Sequence, residues 1–304
     1  MASALSLSES DSSFISGLLA RKRTEVEEAL RRNLPEEKTH PEALHRAMNY
    51  SVFSGGKRLR PILALLSSEA LGASTSAILP AACAVEFIHT YSLIHDDLPA
   101  MDDDDTRRGR PTCHKVFGDA MAILAGDALL TLAFETIVAN YREAQLARRL
   151  TLELASAAGA KGMVGGQALD LDTAPIETGS ADLAHEIHLL KTASLFAAAS
   201  RMGAMVAGGS EKVLGQIGLY GESIGLAFQI VDDIMDELKS PEEIGKATRK
   251  DRARGKLTMP RVVGLEESRQ MARAFTSQAV KALEGLSSTR PLQVLAMYLL
   301  EREK

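Results

Sequence analysis

The chain has no tryptophan, only 4% aromatic residues and two cysteines in 304 residues. Cys83 and Cys113 are too few for a disulfide framework, and Cys83 lies in an apolar run where burial is the usual fate. A reducing, cytoplasmic setting is expected. Basic charge is not in excess: 35 Lys and Arg against 40 Asp and Glu leave a formal net charge of −5. That balance argues against nucleic acid as a partner, so an anionic ligand has to be held by a local basic cluster or through metal ions. No apolar run reaches the ~18 to 20 residues that a spanning helix needs, which predicts no membrane span. Residues 1–13 are Ser-rich and acidic, without the basic flank and apolar segment of a signal peptide. No internal repeat is present, nor a linker rich in Pro, Gly or Ser. Residues 1–304 therefore read as a single domain, and 45% hydrophobic residues can furnish a large core.

The chain also lacks any convincing series of alternating strands. Ala, Leu, Met and Glu bias it towards helix, and helical periodicity is found nearly everywhere. The spacing predicts helices over 14–33, from Pro61 to about Leu71, and over 78–95, 119–140, 146–158, 181–206, 213–238, 261–283 and 291–303. Residues 78–95 have almost no polar face, which suits the middle of a bundle. Residues 102–117 are polar and irregular, the glycines at 159, 162, 165 and 166 interrupt the pattern, and 240–256 form a charged loop. The fold class expected is all-α, a single-domain bundle of long helices.

Two acidic runs stand out. Asp96-Asp97-Leu98-Pro99-Ala100-Met101-Asp102 and Asp232-Asp233-Ile234-Met235-Asp236 each follow an apolar stretch that reads as buried helix. Pro99 has no N–H and its ring clashes with the carbonyl four residues back, so the preceding helix has to open there. That opening can bring Asp102 back beside Asp96. Asp232 and Asp236, four apart, stack on one helix face with Gln229 a turn below. A lone acidic triplet is more often a solvated face or a cap. Two triplets at the ends of buried helices point instead to hard cations, and magnesium fits because it keeps waters and shares its shell with phosphates. Neither run has the spacing of a calcium loop.

Basic residues sit in complementary places. Gly55-Gly56-Lys57-Arg58-Leu59-Arg60 lies at or just before a helix N-terminus, where free N–H groups favour an anion. Arg107-Arg108-Gly109-Arg110 follows the first acidic run, and the planar forks of two arginines suit phosphate oxygens. Charge balance for the six aspartates at 96–105 is the plainer alternative for this pair. His89, two turns before Asp96, reads either as a satisfied core histidine or as part of an anion site.

The pattern Asp-Asp-(any four)-Asp followed by Arg-Arg-Gly, with a later Gln-(any two)-Asp-Asp-(any two)-Asp, resembles the trans-isoprenyl diphosphate synthases, most closely the bacterial-type farnesyl diphosphate synthases. Gly55-Gly56-Lys57-Arg58 and Lys191-Thr192 extend the resemblance over about 55–260. It implies a helical bundle around a deep cavity, paired as a homodimer, that condenses an allylic diphosphate with isopentenyl diphosphate. It implies about three magnesium ions bridging the allylic diphosphate to Asp96, Asp102 and Asp232, with Asp236 acting through water and Asp97 orienting its neighbours. By resemblance, Arg107, Lys191, Gln229, Lys246 and Lys256 hold the allylic diphosphate. Gly56, Lys57, Arg60, His89 and Arg108 belong to the isopentenyl diphosphate site. Dipoles near Lys191 and Thr192 shelter an allylic cation, and the departing diphosphate takes the final proton. Gly165-Gly166-Gln167 with Asp170 also matches, either as support for the metal wall or as a close helix crossing. Arg249 stands where relatives commonly have glycine, and Met259 replaces the Tyr of a Thr-Tyr-Pro segment.

Product length is expected to follow from Tyr91 and Ser92, five and four residues before Asp96, a drop of roughly 6 to 7.5 Å along a helix. A small residue at 92 leaves the upper cavity open, and the Tyr91 ring can form a floor. Longer-chain relatives tend to have a small or flexible residue at 91, so farnesyl diphosphate is the expected product. Geranylgeranyl or geranyl diphosphate remains the alternative within the family. A terpene cyclase or a non-catalytic partner subunit is the alternative outside it.

Overall fold

The computed structural model describes residues 7–172, 180–238 and 257–301. The architecture is all-α, as expected. Helix α1 (Glu9–Asn33) starts at Ser8, whose hydroxyl accepts from the Asp11 N–H. It is followed by α2 (Glu42–Val52), α3 (Leu59–Ala70) and α4 (Thr75–Asp96). A two-stranded hairpin, β1 (Thr106–Arg107) and β2 (Arg110–Pro111), and the short α5 (Cys113–Phe117) fill the stretch read as irregular. Then come α6 (Asp119–Asn140), α7 (Ala144–Ala158), α8 (Met163–Asp172) and α9 (Ala181–His188). A π-type turn over Leu189–Ala193 joins α9 to α10 (Ser194–Val206). The chain closes with α11 (Glu211–Leu238), α12 (Met259–Val263), α13 (Leu265–Ala282) and α14 (Arg290–Leu300).

The core is built by helices whose sequence has no polar side. Helix α4 buries Phe87, Ile88 and Val85 completely, with Cys83 among them. It lies between α3 and α6 while α10 packs across α3 and α11. A second apolar cluster, with Ile187, Ile230, Ile234 and Met259, gathers around the C-terminal half of α11. Helix α11 contributes its N-terminal half to the main core and its C-terminal half, which carries Asp232, to this second cluster.

Several expectations need correction. The helix expected over 261–283 is two, because Gly264 takes φ 87° between α12 and α13. Residues 163–172 form α8 despite Gly165 and Gly166, and α2 was not foreseen. Two helices, Thr75–Asp96 and Asp119–Asn140, do reach the length and hydropathy of a membrane span. For α4, 67% of that stretch is buried inside the bundle, which accounts for its apolar character; for α6 the share is 39%.

Candidate active site

Helix α4 ends at Asp96, and the chain then folds back. The Asp102 N–H donates to the Asp96 carbonyl at 2.8 Å, and Asp104 N–H to the Asp97 carbonyl at 3.2 Å. Pro99 thus has the predicted effect, and Asp102 returns beside Asp96. Burial pushes the Asp96 carboxyl up to about 6, with Lys191 lowering it and Asp102 raising it further. Asp97 is buried and turned the other way. It takes the Arg107 fork through Nε at 2.8 Å and Nη2 at 2.6 Å.

Arg107 and Arg108 are neighbours that diverge. Arg108 and Gly109 form the hairpin turn, both with positive φ, 54° and 75°. Arg107 therefore meets Asp97 while Arg108 Nη1 donates to the Gly55 carbonyl. Gly56 is required at this contact: its φ is 132°, and a Cβ there would lie 2.5 Å from Arg108 Nη1. The hairpin is anchored by Tyr50, whose hydroxyl donates to the Pro111 carbonyl at 2.7 Å and whose ring lies under Arg110. No sequence signal marked Tyr50, because its partners lie some sixty residues on.

The anion segment is more selective than its charge suggests. Arg58, in the left-handed region, is buried against Glu86 at 2.6 Å and so serves the core. Lys57 is exposed just ahead of α3. Arg60 stacks over the Phe196 ring and lies 3.3 Å from His89 Nε2. Burial lowers Arg60 to about 10, which still leaves it charged at neutral pH. Burial and the arginines 60, 108, 107 and 58 hold the His89 imidazole well below its ordinary 6.5. His89 is therefore neutral. Arginine can only donate, so Nε2 accepts and Nδ1 carries the proton.

On the opposite wall, Lys191 and Thr192 ride on the π-type turn, a bulge common at functional sites. Lys191 Nζ pairs with Asp170 of α8 at 2.5 Å. Gly166 lets α8 come so close that a Cβ would run into the Lys191 backbone. The close-crossing reading of the glycine motif is observed, and Asp170 meets Lys191 rather than a metal. Thr192 donates to Gln229 Oε1 at 2.8 Å, Gln229 Nε2 donates to Asp233 Oδ1 at 3.0 Å, and His188 Nε2 lies 3.1 Å from Asp233 Oδ2. Asp233 also accepts from the Met259 N–H at 3.2 Å. This chain of contacts orients Gln229 and Thr192 and was not foreseen, since its members come from α9, the π-type turn, α11 and α12.

These walls enclose one cavity of about 590 Å³. Arg60, His89, Asp96, Arg107 and Arg108 line it on one side, and Lys191, Thr192, Gln229 and Asp232 on the other. Tyr91 and Ser92 lie along its α4 wall, with apolar Met163, Val164 and Leu171 from α8 facing the same space. Gly56, Lys57, Asp102 and Asp236 do not line it; Asp236 is exposed. Lys246, Lys256 and Arg249 lie outside the described residues. Among the described residues no three His, Cys, Asp or Glu side chains form a ready metal cage. The donors fit magnesium of another kind, in which one or two carboxylates per ion leave positions for water and phosphate oxygens.

The polyprenyl synthetase family profile matches residues 41–289. The chain is 47% identical to geranylgeranyl pyrophosphate synthase 12 of Arabidopsis thaliana over 290 residues, 92% of this chain and 79% of that one. It is 45% identical to a heterodimeric geranylgeranyl pyrophosphate synthase large subunit of the same plant, over 87% of this chain and 71% of that one. Among solved structures, an FPP/GFPP synthase from Zymomonas mobilis superposes with TM-score 0.83 at 35% identity, covering 94% and 98% of the two chains. A geranyltransferase from Legionella pneumophila gives TM-score 0.83 at 33% identity, covering 95% and 98%. With one aspartate of each acidic run, Asp96 and Asp232, and Arg60, Arg107 and Arg108 on one cavity, and this match along most of its length, the chain belongs to the polyprenyl synthetase family of prenyltransferases.

Proposed function

We propose that this prenyltransferase condenses isopentenyl diphosphate with dimethylallyl and geranyl diphosphate and stops at farnesyl diphosphate. The observation that carries the proposal is a single cavity with carboxylates at its charged end and the Tyr91 ring along its apolar wall. Lys191 and Arg107 face the diphosphate of the allylic substrate. Arg60, Arg108 and the Nδ1–H of neutral His89 face that of isopentenyl diphosphate. Asp96, Asp102 and Asp232, with Asp236 through water, would hold magnesium, which would supply charge neutralisation for the departing diphosphate. The Thr192 proton is engaged by Gln229, so its oxygen offers lone pairs to the cavity, where an allylic cation develops. The apolar walls keep water from that cation, and the departing diphosphate takes the proton lost after alkene attack.

The farnesyl product rests on Tyr91, which is only 6% exposed and stands one turn and a residue before Asp96, and on the small Ser92 beside it. Names of similar plant proteins favour a second reading, one further addition to the twenty-carbon product. Chain-length analysis separates the two. Wild type is expected to give mainly fifteen-carbon diphosphate and Tyr91→Ala mainly longer products. A Tyr91→Ala enzyme that still stops at fifteen carbons rules out the floor. A homodimer is part of the proposal, supported by Ile123, Leu124 and Val138, which α6 leaves 44%, 53% and 62% exposed among the polar Asp127, Thr131 and Glu135.

A further inference from the structure

His95, next to Asp96 but turned away from the diphosphate end, stands between the cavity and α6. Its ring meets the Tyr91 ring edge to face, with centroids 5.7 Å apart and planes at 75°. Its Nε2 lies 3.1 Å from the Ile123 carbonyl of α6, so that nitrogen carries the proton and donates. The imidazole is seated directly against Gly126, where a Cβ would overlap it. An aromatic contact, a hydrogen bond and a seat open only to glycine therefore tie the α4 wall of the cavity to the α6 backbone. A tyrosine ring set against a growing prenyl tail is a sound stop only if it cannot rotate aside.

We propose that His95 is a positioning residue for product length: it pins the Tyr91 ring, and Gly126 is the seat that lets it do so. This rests on the reading of Tyr91 as the floor. With His95 shortened or displaced, the Tyr91 ring gains room towards α6, and a longer tail passes. Gly126 acts only through His95, since the methyl of an alanine would push the imidazole off the Ile123 carbonyl.

The test is product analysis by chain length for wild type, His95→Ala, His95→Gln, Gly126→Ala, Tyr91→Ala and the double variant His95→Ala/Tyr91→Ala, with thermal unfolding of each to verify folding. His95→Ala and Gly126→Ala should raise the ratio of twenty- to fifteen-carbon product about two- to tenfold, the factor that loss of an edge-to-face contact supports. His95→Gln keeps an N–H donor of similar reach and should lie nearer wild type. On the Tyr91→Ala background, His95→Ala should add nothing. A wild-type ratio in whichever of His95→Ala and Gly126→Ala folds overturns the proposal. So does an undiminished effect of His95→Ala without the Tyr91 ring, because His95 would then be a floor in its own right. The farnesyl reading is judged separately on the wild-type product, whereas the coupling of His95 to Tyr91 decides this one.

Discussion

At the scale of single residues, charge alone did not reveal which groups face the cavity. Arg58 and Arg60 are two apart, yet one is spent on Glu86 and the other lies on the cavity. Asp97 lies beside Asp96 but is committed to Arg107. Asp97→Asn should therefore loosen the Arg107 fork and raise the KM for the allylic diphosphate about tenfold, the scale of a charge-assisted hydrogen bond. Steady-state kinetics with both substrates varied would check it, and an unchanged allylic KM would contradict it. His89 gives a pH prediction. Its folded-state pKa is depressed, so below about 6.5 the unfolded chain binds a proton that the folded one refuses, and stability falls as pH drops. Asp96 has the opposite sign: raised to about 6, it favours the folded state as pH falls from 6 towards 3.8. Melting temperatures between pH 7.5 and 5 should thus decline less steeply for His89→Asn than for wild type. The carboxylates and arginines were legible because charge at the end of an apolar helix is conspicuous. The contacts from His188 through Asp233 and Gln229 to Thr192 were not, because they join segments distant along the chain.

At the scale of elements, periodicity served best where a helix is rich in Ala and Leu, even with Gly126 in its interior. The helix expected over 119–140 is observed as Asp119–Asn140. Expectation over 181–206 missed the π-type turn at Leu189–Ala193, because one extra residue in a turn barely disturbs an apolar pattern. That turn nonetheless sets Lys191 and Thr192 on the cavity wall. Its position depends on how closely α8 approaches, and Gly166 fixes that distance. Gly166→Ala should destabilise the protein by about 1–3 kcal/mol, the usual cost of overpacking, and should lower activity as Lys191 moves. Denaturant unfolding would check the first effect, and a variant of wild-type stability would show that the crossing has slack. Helix α2 escaped notice for a different reason: it is short, and its buried positions include Asn49 and Ser51, so polarity masked the buried face.

At the scale of the whole molecule, α4 and α6 are both long and predominantly apolar, but for different reasons. Helix α4 is enclosed by the bundle, whereas α6 keeps a large apolar share outside. If a second copy covers that face, Leu124→Lys should shift the protein from dimer towards monomer in sedimentation analysis. A monomeric wild type would contradict the pairing. The same molecule-wide view explains why the cavity was foreseen and its shape was not. Two acidic runs on separate helices imply facing walls, but the width between them depends on crossings such as those at Gly126 and Gly166.

The most direct test is a product assay with purified protein, magnesium, isopentenyl diphosphate and either the five- or the ten-carbon allylic diphosphate. A dominant fifteen-carbon diphosphate from both starters is the expected result. No condensation with either starter, or turnover of farnesyl diphosphate without isopentenyl diphosphate, would contradict chain elongation itself.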